Sequence, residues 1–132
     1  MLAPMAELSH RALRELIEGF FNEGGPPAAP LRGGSPGAAL RRDTPRRPEY
    51  YTEMISAAAL LAGGPFEKWY LDAEPCPRRL VYQLLGADED KLAAAAALLD
   101  RRDCLGIDLN MGCAAPAITR TGAGVRLMED ID

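Results

Sequence analysis

The sequence predicts an α/β fold built on a parallel sheet, and three observations predict it. Residues 80–85, LVYQLL, form an apolar strand run broken only by the amide of Gln83. Asp88, Glu89 and Asp90 follow at once and open a helix with carboxylates where its dipole favours them. Further on, apolar Ile107 and Leu109 alternate with polar Asp108 and Asn110, which is strand periodicity with one polar face. Strand, helix and strand in repeated order imply parallel strands joined by helical crossovers.

The elements follow in chain order. Leu2-Ala3-Pro4-Met5 is a short apolar stretch ahead of a helix capped by Ser9. Leu13, Leu16, Ile17, Phe20 and Phe21 share one face of that helix, with Arg11, Arg14, Glu15 and Glu18 on the other. The apolar face is expected to pack, and His10 in the first turn to be solvated or to cap. Strand formers return at Tyr50 to Met54, and Ser56 caps a short helix that Gly63-Gly64-Pro65 ends. Trp69, Tyr70 and Leu71 read as a brief strand before the turn at Glu74-Pro75-Cys76-Pro77, where Cys76 reads as surface. After the strand at 80–85, Ala93 to Leu99 propagates the acidic-start helix. Cys104 opens the next strand as a small buried apolar residue. That strand ends in Asn110-Met111-Gly112-Cys113, which puts a thiol just past its C-terminal end. In α/β barrels this is the face that carries the chemistry.

Composition limits the function classes. The 132 residues suit one domain, and 48% hydrophobic with 26% charged residues is a globular balance. A net charge of −4 gives no general nucleic-acid signature, although a local patch can hold RNA on an acidic protein. The apolar runs are too short to span a bilayer, and the N-terminus does not read as a signal peptide. Three widely spaced cysteines and a single histidine support neither a disulfide framework nor a metal site. A reducing cytoplasm is the expected location.

Residues 23–48 break the pattern with six prolines and five glycines. Such a segment cannot repay its ordering entropy and reads as a flexible Pro/Gly/Arg-rich insertion. Its arginines, Arg32, Arg41, Arg42, Arg46 and Arg47, offer two readings. One is a basic arm on RNA phosphates; the other is a tolerated surface insertion.

Four motifs in order carry a family resemblance. They are Ala3-Pro4-Met5, then YTEMISA at 51–57, then YQLLG at 82–86, then IDLNMGC at 107–113 followed by Gly122-Ala123-Gly124. Together they resemble the tRNA-dihydrouridine synthases, flavin-dependent barrel enzymes that reduce uridine in tRNA. The resemblance implies a partial TIM barrel over residues 1–132, about the first four βα units of a (β/α)8 FMN-binding barrel. It implies FMN as cofactor, NADPH as electron source and tRNA as partner. Pro4, Met5 and Ala6 would line the flavin ring. Gln83, which from the residues alone could equally be satisfied by nearby backbone or point into a barrel mouth, would hydrogen-bond that ring. Asn110 would lie between flavin and substrate, and Cys113 would be the general acid.

The implied chemistry suits a thiol. Hydride from reduced flavin reaches carbon six of the uracil, and the developing enolate needs a proton at carbon five. Thiols, with a reference pKa of about 8.5, hold their proton at neutral pH and can donate it. A hydroxyl is a far weaker acid. Gly112 would let the loop approach a base extruded from the RNA stack.

The sequence also departs from the family pattern. Ala114 stands where the family usually has proline, and Ala117 where many members have lysine. A complete barrel needs about 250 residues. The flavin phosphate site and the tRNA-binding helical domain are therefore not expected within these residues, and the isolated chain is expected to be inactive. Exposed sheet edges favour self-association. The alternative function is a non-catalytic RNA-binding or self-associating half-barrel.

Overall fold

The computed structural model describes residues 10–23, 47–64 and 67–129. Helix α1 (Arg11–Asn22) comes first, then strand β1 (Tyr50–Ser56) and helix α2 (Ala57–Leu61). A single helical turn, α3 (Glu67–Tyr70), and a 3₁₀ turn at Pro77–Arg79 lead into β2 (Leu80–Leu85). Helix α4 (Glu89–Leu99), strand β3 (Gly106–Leu109), helix α5 (Pro116–Thr119) and a 3₁₀ turn at Gly124–Met128 complete the order. The three strands form one parallel sheet in the order β1-β2-β3.

The predicted parallel α/β sheet is present. The first strand candidate, around Pro4 and Met5, lies outside the described residues, as does nearly all of the 23–48 segment. Strand β2 has the expected residues, and α4 is capped by Asp88, whose side chain accepts the Lys91 N–H. Ser56 caps α2 by accepting the Ala59 N–H at 3.3 Å. Strand β3 begins at Gly106 rather than Cys104, although the Leu105 N–H already reaches the Leu80 carbonyl at 2.7 Å.

Strand pleating sorts the side chains. Leu80, Tyr82 and Leu84 of β2 meet Tyr50, Ile55, Leu60, Ala95 and Leu99 in the buried core beneath α2 and α4. Val81, Gln83 and Leu85 therefore point to the opposite face. Strand β1 carries a bulge: Tyr51 pairs with Val81 and Met54 with Gln83, so Thr52 and Glu53 together oppose Tyr82. The Thr52 hydroxyl stitches the bulge, accepting the Gln83 N–H at 3.0 Å and donating to the Glu53 carbonyl at 2.8 Å.

Three expectations are corrected. Residues 69–71 do not form a strand; Trp69 and Tyr70 belong to α3, and the Asp72 N–H closes the turn on the Trp69 carbonyl. A run this short gains more from a local turn that lets Tyr70 and Leu71 pack on the core than from an unpaired strand. Cys76 is not on the surface but 5% exposed in the core, because the bond from its N–H to the Ala73 carbonyl folds the segment inward.

The third correction concerns α1, which buries two residues of its charged face, while of its apolar face Ile17 packs on the core. Arg14 and Glu18 are buried, while Leu16 is 72% and Phe20 55% exposed. The reason lies in the polar groups at the base of the sheet. Arg14 donates to the Glu74 and Asp72 carbonyls. Glu18 accepts from the Tyr50 hydroxyl at 2.7 Å and from Arg79 at 2.8 and 2.5 Å. Arg47 Nη1 adds a third cationic contact to Glu18 at 3.1 Å, so this arginine of the predicted basic arm is engaged within the fold. The N-cap of α1 is His10, exposed and without a side-chain cap bond; Ser9 lies outside the described residues.

Hydrogen bonds from Arg79 pull the Glu18 carboxyl down to about 2, against a desolvation effect of opposite sign. A folded-state pKa below the unfolded value stabilises the fold above the unfolded pKa, and this contribution disappears as pH falls through the folded one. Glu18→Gln is thus expected to lose roughly 3 kcal/mol at pH 7, at about 1.4 kcal/mol per unit. In urea unfolding, the gap between the two proteins should close between about pH 4 and pH 2.

Candidate active site

The polar residues of the sheet's free face gather at its C-terminal end. Gln83 and Asp108 are partners in the β2–β3 register and so share a face. Gln83 is 6% exposed, and an amide this buried needs partners. Its Nε2 donates to Asp108 Oδ2 at 2.7 Å, and its Oε1 accepts from Asn110 Nδ2 at 3.0 Å. Asn110 Oδ1 in turn accepts the backbone N–H groups of Cys113 at 3.0 Å and Gly112 at 3.3 Å. The Asn110 N–H extends the β2–β3 ladder to the Leu84 carbonyl at 2.8 Å, which anchors the base of the loop.

The loop is also held from its far side. The Cys113 carbonyl accepts the Val125 N–H at 3.0 Å. Gly124 has φ +66°, and a Cβ there would overlap the Cys113 carbonyl oxygen and press on Ile118 Cγ2. This position therefore needs glycine for both conformation and space. Cys113 is half-buried between these two attachments, while Met111 and Gly112 are exposed.

The structure brings together Gln83, Asn110 and Cys113 of the predicted site residues; Pro4, Met5 and Ala6 lie outside the described residues. The two family departures fall on the exposed segment after the cysteine. Ala114 and Ala117 are exposed, and Pro116 takes the first position of α5, where its missing N–H costs nothing. Sequence reading passed over Thr52 and Asp108. Asp108 was visible only as the polar half of a strand alternation, and the bulge that recruits Thr52 has no glycine or proline to announce it.

The other two cysteines have different surroundings. Burial pushes the thiols of Cys76 and Cys104 up, which disfavours their thiolates. No cluster of three or more His, Cys, Asp or Glu suited to a metal occurs among the described residues. No helix among them is long and apolar enough to cross a membrane. Beside the loop, a cleft of about 400 Å³ opens over the ends of β1 and β2, lined by Ser56, Leu85, Gly86, Lys91, Ile118 and Ala123.

The family model described as dihydrouridine synthase matches residues 1–132, the whole chain. The chain belongs to the dihydrouridine synthase family. It is 31% identical over 132 residues to the tRNA-dihydrouridine(16) synthase of Cupriavidus necator, covering 98% of this chain and 34% of that protein. With the tRNA-dihydrouridine(20/20a) synthase of Haemophilus ducreyi it shares 34% identity over 82 residues, covering 62% of this chain and 24% of that relative. The matched region thus spans about a quarter to a third of these relatives.

Gly124→Ala tests the second attachment of the loop. The left-handed backbone alone costs an alanine roughly 1–2 kcal/mol, before the overlap with the carbonyl is relieved. The variant should unfold at lower urea concentration. Its Cys113 should also alkylate faster with iodoacetamide, relative to Cys104 in the same sample.

Proposed function

We propose that this chain is part of an FMN-dependent tRNA-dihydrouridine synthase, with Cys113 as proton donor in the reduction of uridine to 5,6-dihydrouridine. Residues 1–132 would supply about the first four βα units of the barrel, with 23–48 as an insertion in it. The observation that carries this reading is the run of bonds Gln83–Asn110–Cys113 at the carboxyl end of parallel strands. It sets a half-buried thiol beside one buried and one half-buried amide in a member of a family whose named relatives are tRNA-dihydrouridine synthases.

The residues present fit a flavin. An amide nitrogen has two hydrogens and an amide oxygen two lone pairs. The bonds described above use one of each on Gln83, and one hydrogen of Asn110, so both side chains retain capacity toward a polar ring. Pro4, Met5 and Ala6 would complete the floor. FMN, when bound, supplies the hydride for carbon six of the uracil, with NADPH as electron source.

The protein's own part is to hold and deliver one proton. Cys113 keeps it at Sγ and passes it to carbon five as negative charge develops there. Asn110 holds the loop backbone, so the sulfur approaches from a fixed direction. Exposed Gly112 leaves room for an extruded base.

Deleting the gene in its source organism should remove dihydrouridine from a defined set of tRNA positions. The wild-type gene should restore it, and Cys113→Ala should restore less than about a hundredth of the rate, the lower range of general-acid contributions. Unchanged dihydrouridine content in the deletion strain would overturn the assignment. Residues 1–132 purified alone are expected to hold no stoichiometric FMN, read from the visible spectrum.

A second reading is self-association of a half-barrel, which one observation favours: Leu16 and Phe20 of α1 are both largely exposed. Sedimentation of residues 1–132 should then give a dimer mass, and Leu16→Glu with Phe20→Glu a monomer. A monomeric wild-type chain removes this reading.

A further inference from the structure

The amides of Gln83 and Asn110 could each face either way, yet only one arrangement puts an acceptor on the Cys113 N–H. Something must choose it. Asp108 is the one member of the connected set that, when ionised, only accepts hydrogen bonds. It pairs with Gln83 in the strand register and meets Nε2 at 2.7 Å. With the Gln83 amino group fixed on this carboxylate, Oε1 must face the other way, toward Asn110. A carbonyl there demands the Asn110 amino group, which Nδ2 supplies at 3.0 Å. Asn110 Oδ1 is then left facing the loop, where it takes the N–H groups of Gly112 and Cys113. Turning either amide over would set oxygen against oxygen at one junction, and the burial of Gln83 limits rescue by water.

We propose that Asp108 is a positioning residue for the Cys113 loop, fixing the sense of two side-chain amides in series so that the second one holds the cysteine backbone. The proposal gains its catalytic meaning from the reading of Cys113 as proton donor. Its geometry is independent of that reading.

Amide hydrogen exchange measured by NMR on the whole chain, without flavin or RNA, tests it. In Asp108→Leu the amides of Gly112 and Cys113 should exchange roughly tenfold faster, about what the loss of one net hydrogen bond allows. The Leu105 amide, bonded to the Leu80 carbonyl in the same sheet, should stay within about twofold of wild type. Asp108→Asn puts a third amide, itself able to face either way, at the head of the series and should speed both loop amides, though less than Asp108→Leu. Gln83→Met interrupts the same series with Asp108 intact, should speed the same two amides, and serves if Asp108→Leu does not fold. Unchanged exchange in Gln83→Met, or in a folded Asp108→Leu, overturns the proposal. So does Asp108→Asn exchanging as slowly as wild type at both loop amides, or loss of protection at Leu105 equal to that in the loop. A deletion strain with normal dihydrouridine would remove the catalytic reading and leave this result standing.

Discussion

Within the sheet, a polar side chain on the free face of a central parallel strand finds its partners sideways, on the strands next to it or at their ends. Gln83 is in that position on β2, with β1 and β3 in register on either side. Its backbone N–H goes to the Thr52 hydroxyl, its amino group to Asp108 and its carbonyl to Asn110. Burial makes each of these bonds costly to lose, since an unsatisfied buried polar group costs about 1–3 kcal/mol. The bulge in β1, the register of β3 and the set of the cysteine loop all meet at this one residue.

The opposite end of the sheet is closed by charge rather than by amides. Glu18 of α1 gathers Arg79, Tyr50 and Arg47, while Arg14 covers two carbonyls ahead of the 3₁₀ turn. Burying a carboxylate is tolerable only when it is this fully partnered. The two ends thus divide the work: ionic contacts dock the helix that begins the described chain, and neutral amides shape the rim where the thiol lies.

Much of this was legible in the sequence, for reasons that can be stated. Strand β2 and the acidic start of α4 are local signals, set by residue type within a few positions, and both fall where expected. The face of α1 was not legible. Apolar spacing says which residues share a side of a helix, but not whether the neighbouring surface offers carbonyls and cations to a charged side. Arg14 and Glu18 find partners some sixty residues away in sequence, at Asp72, Glu74 and Arg79. Cys76 was misplaced for a related reason, because flanking prolines mark a turn without saying which way it folds. At the rim, the motif residues gave Gln83, Asn110 and Cys113, whereas Asp108 and Thr52 became visible only through register.

The two attachments of the cysteine loop divide it into a fixed part and a free part. Asn110 grips the backbone on one side of the thiol, and the Val125 N–H closes on the Cys113 carbonyl from the other. Between them, residues 114–123 form an excursion whose ends are pinned together independently of what it contains. Ala114 directly follows the pinned Cys113 carbonyl, and Ala117 falls inside this excursion, away from both pins. Changes of length or composition there can accumulate without displacing the sulfur. The rim can therefore diverge in what it presents while the thiol stays in one place.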